Sequence, residues 1–279
     1  MDAVPKQRSD SPRVRPDAPV EVSLGPVPFL SATAALALPL AVIGVVVAVL
    51  VPLVPWWAGL LLAVAAAVGL VWSRLQSAHE VLVGRLKEHT ATITSVRLTN
   101  MVSGLALAAG VEEPEAFLLN DDAVNASVVS RNGTSTIAVT RGLLNVLEPV
   151  ELEGIIAELL VRVRNGDAEA ATIASAVFRL PILGPISALI TGPAASIGVS
   201  HLLDDGRYVD ADLEAVALTR YPPGLLRALA KAKGADHSVA GVHEGLDAIW
   251  LINPADAASR HSEAIRSALD LRIDVLTEL

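Results

Sequence analysis

Residues 127–164 read SVVSRNGTSTIAVTRGLLNVLEPVELEGIIAELLVRVR, and this stretch carries the clearest fold signals in the chain. Two β-rich runs, Ser127–Arg131 and Thr134–Thr140, flank the dipeptide Asn132-Gly133. Because Asn and Gly both tolerate the positive φ that a type I′ turn needs, the pattern predicts a β-hairpin.

Helices are predicted on the C-terminal side of this hairpin. Arg141–Leu147 and Glu151–Arg164 have helical patterns and are separated by Pro149, and the second carries an apolar stripe at helical spacing. On the N-terminal side, Glu115–Leu119 is predicted as a short strand. These elements predict an α+β fold that is mainly helical and has a small β-sheet.

Three further ranges have helical patterns. Residues 74–112 are expected to be largely helical, with Leu82, Leu86, Ile93 and Val96 at roughly helical spacing. The ranges 207–234 and 257–279 are expected to form amphipathic helices.

The composition excludes several classes of protein. Of the 279 residues, 52% are hydrophobic and the mean hydropathy is +0.53, which excludes a disordered chain and favours membrane segments. The net charge of −9 gives no broad basic surface, so nucleic acid is not expected as a partner. There is no cysteine, which excludes disulfides and thiolate chemistry.

The N-terminal quarter contains a long apolar run. Val22–Ser73 has no Asp, Glu, Lys or Arg. One helix of that length would measure about 78 Å, against about 30 Å for the hydrocarbon core of a bilayer, so the run is expected to fold back on itself. Pro52 and Pro55 mark the break, which predicts membrane segments at Phe29–Val51 and about Trp57–Trp72. Two helices buried in a soluble protein are the alternative.

These signals give a domain plan. Residues 1–28 are expected to be a flexible Pro-rich tail, 29–73 a transmembrane hairpin and 74–279 the main domain. Lys and Arg lie on both flanks of the hairpin and none lies in its loop, so the positive-inside rule predicts a multi-pass protein of the cell membrane with its main domain in the cytoplasm. The lipid bilayer is thus an expected partner.

A second charge-free stretch covers residues 180–203, inside a Pro/Gly-rich apolar insert at about 168–203. Its repeated Pro and Gly argue against one continuous membrane helix. A segment that rests on or re-enters the membrane and a segment buried in the protein are both open.

Six segments of the chain form a recognisable series: Val124–Ala126, Ile137–Leu144, Glu151–Ala157, Val163–Asp167, Arg207–Asp212 and Ala217–Thr219. Their order and spacing resemble those of the HtpX-like membrane zinc metallopeptidases. That family combines an Asn-Ala strand, a Gly-Leu-Leu helix start, a His-Glu-x-x-His helix and a later helix that supplies the third zinc ligand. The resemblance covers roughly residues 75–279 and implies a zincin-like domain.

The resemblance fails at the residues that would carry the chemistry. Glu158 stands at the first zinc-binding His, Leu159 at the general base and Arg162 at the second His. Tyr208 stands at the Glu that would be the third ligand, whereas Asp212 still matches. All three ligands and the base are therefore altered together.

These replacements remove the donors that a zinc site needs. Arg keeps its proton and offers no lone pair, protonated Tyr is a poor ligand, and Leu cannot accept a proton from water. The expectation is a site without metal, cofactor or catalytic residues, filled by an i, i+4 salt bridge between Glu158 and Arg162 near Tyr208. An improvised metal site from Glu158, His201 and Asp210 is the alternative.

One part of the binding surface is retained. In the family an edge strand aligns substrate peptides by strand addition, and the corresponding residues here are candidates for peptide binding. The expected function is a catalytically inactive pseudopeptidase that binds a membrane or peripheral protein as a regulatory or accessory subunit. An active zinc endopeptidase with a remodelled site and a purely structural membrane subunit are the alternatives. The candidate peptide-binding residues are Asn125, Ala126, Ser127, Val128, Val129 and Ser130.

Overall fold

The computed structural model describes residues 56–88, 92–93, 95–176, 205–239, 249–252 and 261–279. Within these ranges the helices are α1 (Trp56–Gln76), α2 (Ala78–Glu88), α3 (Val96–Ala109), α4 (Arg141–Val146), α5 (Pro149–Arg164), α6 (Asp167–Ala174), α7 (Asp205–Thr219), α8 (Pro222–Lys233) and α9 (His261–Thr277). The strands are β1 (Thr92–Ile93), β2 (Glu115–Leu119), β3 (Ala126–Arg131) and β4 (Thr134–Thr140). The predicted α+β class, mainly helical with a small sheet, is confirmed at this level.

The four strands form one mixed sheet in the order β1-β2-β4-β3. Strand β4 pairs parallel with β2 and antiparallel with β3, and β1 pairs antiparallel with β2. Ala126 lies opposite Val139 in the hairpin. Strand β3 is thus at one edge of the ladder, directly before the helices that build the site.

The predicted hairpin turn is confirmed. Asn132 and Gly133 have φ values of 51° and 83°. Both turn residues therefore occupy the left-handed region that a type I′ turn requires.

Strand side chains alternate between the two faces of a sheet. Apolar side chains point to both faces here, and helices cover each face. On one face, Val128, Ile137 and Val139 pack in a core with residues of α3, α5, α7 and α8. On the other face, Val129 and Ala138 pack with residues of α2 and α6.

Helix α5 is the central helix of the larger core. It starts with a capping box between Glu148 and Glu151, and Lys231 of α8 binds Glu151 at 2.6 Å. At Gly154 the two helices touch, since an added Cβ would lie only 2.8 Å from the backbone nitrogen of Leu225. This close approach fixes α5 against α8, and α5 also packs with residues of α3 and α7.

Two expected helical ranges are interrupted. Within 74–112, Thr92 and Ile93 form β1 and not helix, because these β-branched residues pair with β2. Leu82 and Leu86 are buried as expected, whereas Val96 is 71% exposed.

The range 207–234 is helical as expected and is divided into the two helices α7 and α8. Arg220 has a φ of 55°, and Pro222 and Pro223 begin the next helix. Proline is favoured at a helix start and excluded from its interior, so the Pro-Pro pair separates the two helices.

The expected second membrane segment, about Trp57–Trp72, forms most of α1. In the described ranges, no helix is long and apolar enough to cross a membrane. The expected tail at 1–28, the first membrane segment at Phe29–Val51 and the stretch 180–203 lie outside the described residues.

Candidate functional site

Helix α5 places Glu158 and Arg162 one turn apart in the protein interior. Their relative exposures are 0% and 2%. Both face the region where α5 packs against α7, and Leu159 beside them is also fully buried. A carboxylate and a guanidinium at such depth need polar partners to offset lost hydration.

Arg272 of α9 supplies the main partner. Its Nε donates to Asp212 Oδ2 at 2.7 Å, and its Nη2 donates to Asp212 Oδ1 at 2.8 Å. Nη2 also donates to Glu158 Oε1 at 3.4 Å. Arg272 thereby joins α9 to α7 through a bidentate pair and to α5 through a longer contact.

Tyr208 of α7 closes the group with its ring. The Arg162 guanidinium carbon lies 5.1 Å from the ring centroid, and that of Arg272 lies 5.6 Å away. Both distances are within the range of cation–π attraction. We call Glu158, Arg162, Tyr208, Asp212 and Arg272 the charged cluster.

The expected arrangement of this site is partly wrong. The salt bridge of Glu158 is made by Arg272 and not by Arg162. The Arg162 guanidinium instead donates to the carbonyl of Trp250 at 3.4 Å and lies over the Tyr208 ring. The physical reason is reach: the long Arg162 side chain extends to partners outside its own helix.

Electrostatics in the cluster reflect its burial. Burial raises the pKa of Glu158 above its ordinary value, and the nearby charges of Arg162 and Arg272 oppose that rise. Glu158 Oε2 has no hydrogen-bond partner among the described residues. For Arg272, burial alone would lower the pKa, but Asp212 and Glu158 raise it overall, so its charge is permanent.

The chemistry of these side chains does not fit a zinc ion. A catalytic zinc needs three nitrogen, sulfur or carboxylate donors and an open position. Here Asp212 is bound on both oxygens by Arg272, and Glu158 shares that guanidinium. Two guanidiniums provide fixed positive charge where a dication would have to sit. Within the described ranges, no three His, Asp or Glu side chains are grouped to hold a metal.

Of the alternative ligand set, the structure describes Glu158 and Asp210. Asp210 lies at an open surface pocket of about 370 Å³ that Glu158 does not line. Asp167, at the start of α6, lines the same pocket and is paired with Arg207 at 3.0 Å. Burial raises the pKa of Asp167, and the Arg207 charge opposes the rise. His201 lies outside the described residues.

The candidate peptide-binding residues all lie on or beside β3 and are buried. Asn125 directs its amide toward the segment around Ile252, which it contacts with both side-chain polar atoms. The backbone N–H of Ser130 donates a hydrogen bond to Thr172 Oγ1 of α6 at 3.0 Å.

The sequence analysis did not identify Arg272 as a residue of the site. A signal was present, since Leu269, Arg272 and Leu276 lie on one helical face, with both leucines buried. An Arg on an apolar face has to find a buried anion, but the pattern does not say which one.

The comparisons with known proteins agree with the family resemblance that the motif order indicated. The chain is 30% identical over 183 residues to a protein named Protease HtpX homolog from Dictyoglomus thermophilum, which covers 56% of this chain and 60% of that protein. It is 28% identical over 235 residues to the homologue from Listeria innocua, with 69% and 77% of the two chains covered. The homologue from Persephonella marina is 28% identical over 192 residues, with 58% and 67% covered.

The chain therefore spans about 60% of the length of the Dictyoglomus relative. No protein-family model matches it. No solved structure matches it.

Removing one anion from the charged cluster is expected to be costly. Asp212→Asn leaves the Arg272 charge buried with a weaker partner, and breaking such pairs costs about 3–5 kcal/mol. The free energy of unfolding of the full chain in detergent, measured by urea titration, checks this value.

Glu214→Gln is the matched control, because Glu214 is on the same helix but its pair with Arg164 is partly exposed. A loss of at most about 1 kcal/mol is expected there. If both variants lost the same free energy of unfolding, the buried ion pairs would contribute no more to stability than the partly exposed pair.

Proposed function

We propose that the chain, which is similar to these HtpX homologues, is a membrane-anchored pseudopeptidase. It retains the peptidase-like architecture, lacks hydrolytic chemistry and acts by binding another protein as a regulatory or accessory subunit. No metal or other cofactor takes part in this role.

The observation that supports the proposal is that the carboxylates at the centre of the domain are bound by arginine side chains. Two carboxylates, Glu158 and Asp212, face two guanidiniums, those of Arg162 and Arg272. The four formal charges cancel, so this group needs no cation for its charge balance. Leu159, at the position of the general base, is apolar and fully buried, so it cannot activate a water molecule.

Binding without cleavage is consistent with the rest of the domain. The hairpin β3–β4 and the helix α5 keep the frame on which the resemblance rests, with Ala126 opposite Val139 in register. Strand β3 lies at the edge of the sheet, where peptides bind by strand addition. The candidate contact surface is therefore the edge from Asn125 to Ser130.

Metal content and proteolysis test this proposal together. The full chain, purified in detergent without added metal and again after incubation with zinc, is analysed by mass spectrometry for zinc and assayed on casein with and without a chelator. We expect zinc far below one ion per chain and no chelator-sensitive cleavage. The Listeria innocua homologue, purified in the same way, is the reference.

The contrary result is specific. About one zinc per chain, together with cleavage that is lost on chelation and in Glu158→Ala, would establish the alternative of an active endopeptidase with a remodelled site. Such activity would end the pseudopeptidase proposal, whatever the binding partner.

Membrane anchoring is the second part of the proposal. It is supported by the charge-free run Val22–Ser73 and by the apolar surface of α1, where Leu61 and Leu62 are 61% and 73% exposed. Exposed apolar residues at this density are stabilised by lipid and not by water. In this topology both ends of the anchor and the main domain lie in the cytoplasm.

Labelling of single cysteines checks the topology, since the chain has no cysteine of its own. Ser11→Cys and Glu278→Cys are expected to react with a membrane-impermeant maleimide only after cells are opened, and the full chain is expected to stay in the pellet after alkaline carbonate extraction. Labelling in intact cells would contradict the cytoplasmic topology, and release by carbonate would contradict the anchor.

A further inference from the structure

The outer edge of β3 is already paired with a segment of the chain itself. The N–H of Leu251 donates to the carbonyl of Ala126 at 2.8 Å, and Ser127 forms an antiparallel bridge with Trp250. We call Ile249–Ile252 the strap. It lies against β3 in the way that an added peptide strand would lie.

Asn125 extends this pairing by one residue. Its side-chain Nδ2 donates to the carbonyl of Ile252 at 2.7 Å, and its Oδ1 accepts from the N–H of Ile252 at 3.2 Å. The amide side chain thus replaces a backbone partner, because it offers one donor and one acceptor to the same residue.

The side chains of the strap are buried on both faces of the sheet. Ile249 and Trp250 belong to the core on the α2 and α6 side, and Leu251 and Ile252 belong to the core on the α5 side. All four are at most 3% exposed. The strap is thus an apolar extended segment that fills the edge.

Two arginines of the charged cluster form hydrogen bonds with the backbone of the strap. Arg162 Nη1 donates to the carbonyl of Trp250 at 3.4 Å, and Arg272 Nη1 donates to the carbonyl of Leu251 at 3.2 Å. Two successive carbonyls of the strap are therefore bound by the two buried guanidiniums. Hydrogen bonds from charged donors are stronger than neutral ones, so these contacts add to the pairing with β3.

We propose that the strap is a built-in occupant of the peptide-binding edge, and that Arg162 and Arg272 keep it there. The replacement that removes the second metal ligand then has a positive role, because it supplies a clamp. While the clamp is closed, β3 accepts no external peptide between Ala126 and Val128. A competing ligand is an extended, apolar peptide that pairs antiparallel with β3. This inference rests on the proposed role of β3 as a binding edge.

Hydrogen exchange of the full chain in detergent tests the clamp. Glu158→Gln combined with Arg162→Met removes the guanidinium that binds the Trp250 carbonyl and keeps the cluster electrically balanced. Losing a charged donor is expected to speed exchange of the Leu251 amide roughly tenfold or more. Arg164→Met is the matched control on the same helix, since Arg164 is partly exposed and pairs with Glu214. Exchange at Leu251 should not change there.

The unmodified chain provides a measurement that needs no variant to fold. The Leu251 and Ile252 amides are expected to be protected to the same degree as amides of β4. Exchange of these two amides at the rate of an unstructured peptide would overturn the proposal. So would equal exchange in the double variant and the Arg164→Met control.

A peptide probe tests the competition itself. The probe is a fluorescein-labelled peptide of residues 248–253, AIWLIN, with terminal lysines for solubility. Anisotropy should show binding to the double variant and none to the unmodified chain or to Arg164→Met. Equal binding to all three, or faster exchange without any peptide binding, would overturn the proposal. Neither readout depends on zinc content or casein cleavage, so these results fail or succeed separately from the pseudopeptidase proposal.

Discussion

The buried guanidinium of Arg272 organises the centre of the molecule. Its bidentate pair with Asp212, at 2.7 and 2.8 Å, joins α9 to α7, and its contact with Glu158 joins both helices to α5. Such an ion is tolerated at 4% exposure only because anions surround it. The relative position of the three helices therefore depends on charges that satisfy one another.

The pairing of buried carboxylates with buried guanidiniums also bears on metal binding. The family resemblance implies metal ligands at the helix positions of Glu158 and Arg162. In this chain they carry one acid and one permanently charged base, and the acid is already engaged by Arg272. A dication would have to displace guanidiniums or bind next to them, and both cost energy. Under the proposed function, the domain therefore keeps its packing without a metal centre that activates water.

Local elements could be predicted from the sequence, because their signals are local. The strand Glu115–Leu119 and the turn at Asn132-Gly133 are found at the predicted positions, and α5 begins two residues earlier than predicted, at Pro149. Asn-Gly favours a positive φ, and the β-branched residues on both sides of it favour strands, without reference to the rest of the chain.

Long-range pairing could not be predicted in this way. Glu158 and Arg272 are 114 residues apart, and the pattern around Glu158 favoured the helical neighbour Arg162 as its partner. The residues of the strap gave no signal at all, because four apolar residues do not reveal which edge they will cover. Burial of Arg162 could be expected only through the resemblance, since a basic residue near a helix C-terminus is ordinarily solvated.

The thermal unfolding of the full chain in detergent, with zinc and with a chelator, tests the central claim most directly. A ligand that binds only the folded state raises the melting temperature. If the charged cluster replaces the metal, the Tm is the same in excess zinc and in excess chelator. A Tm that rises with zinc, falls with chelator and loses both responses in Glu158→Ala would contradict the account, because it would place a cation among these side chains.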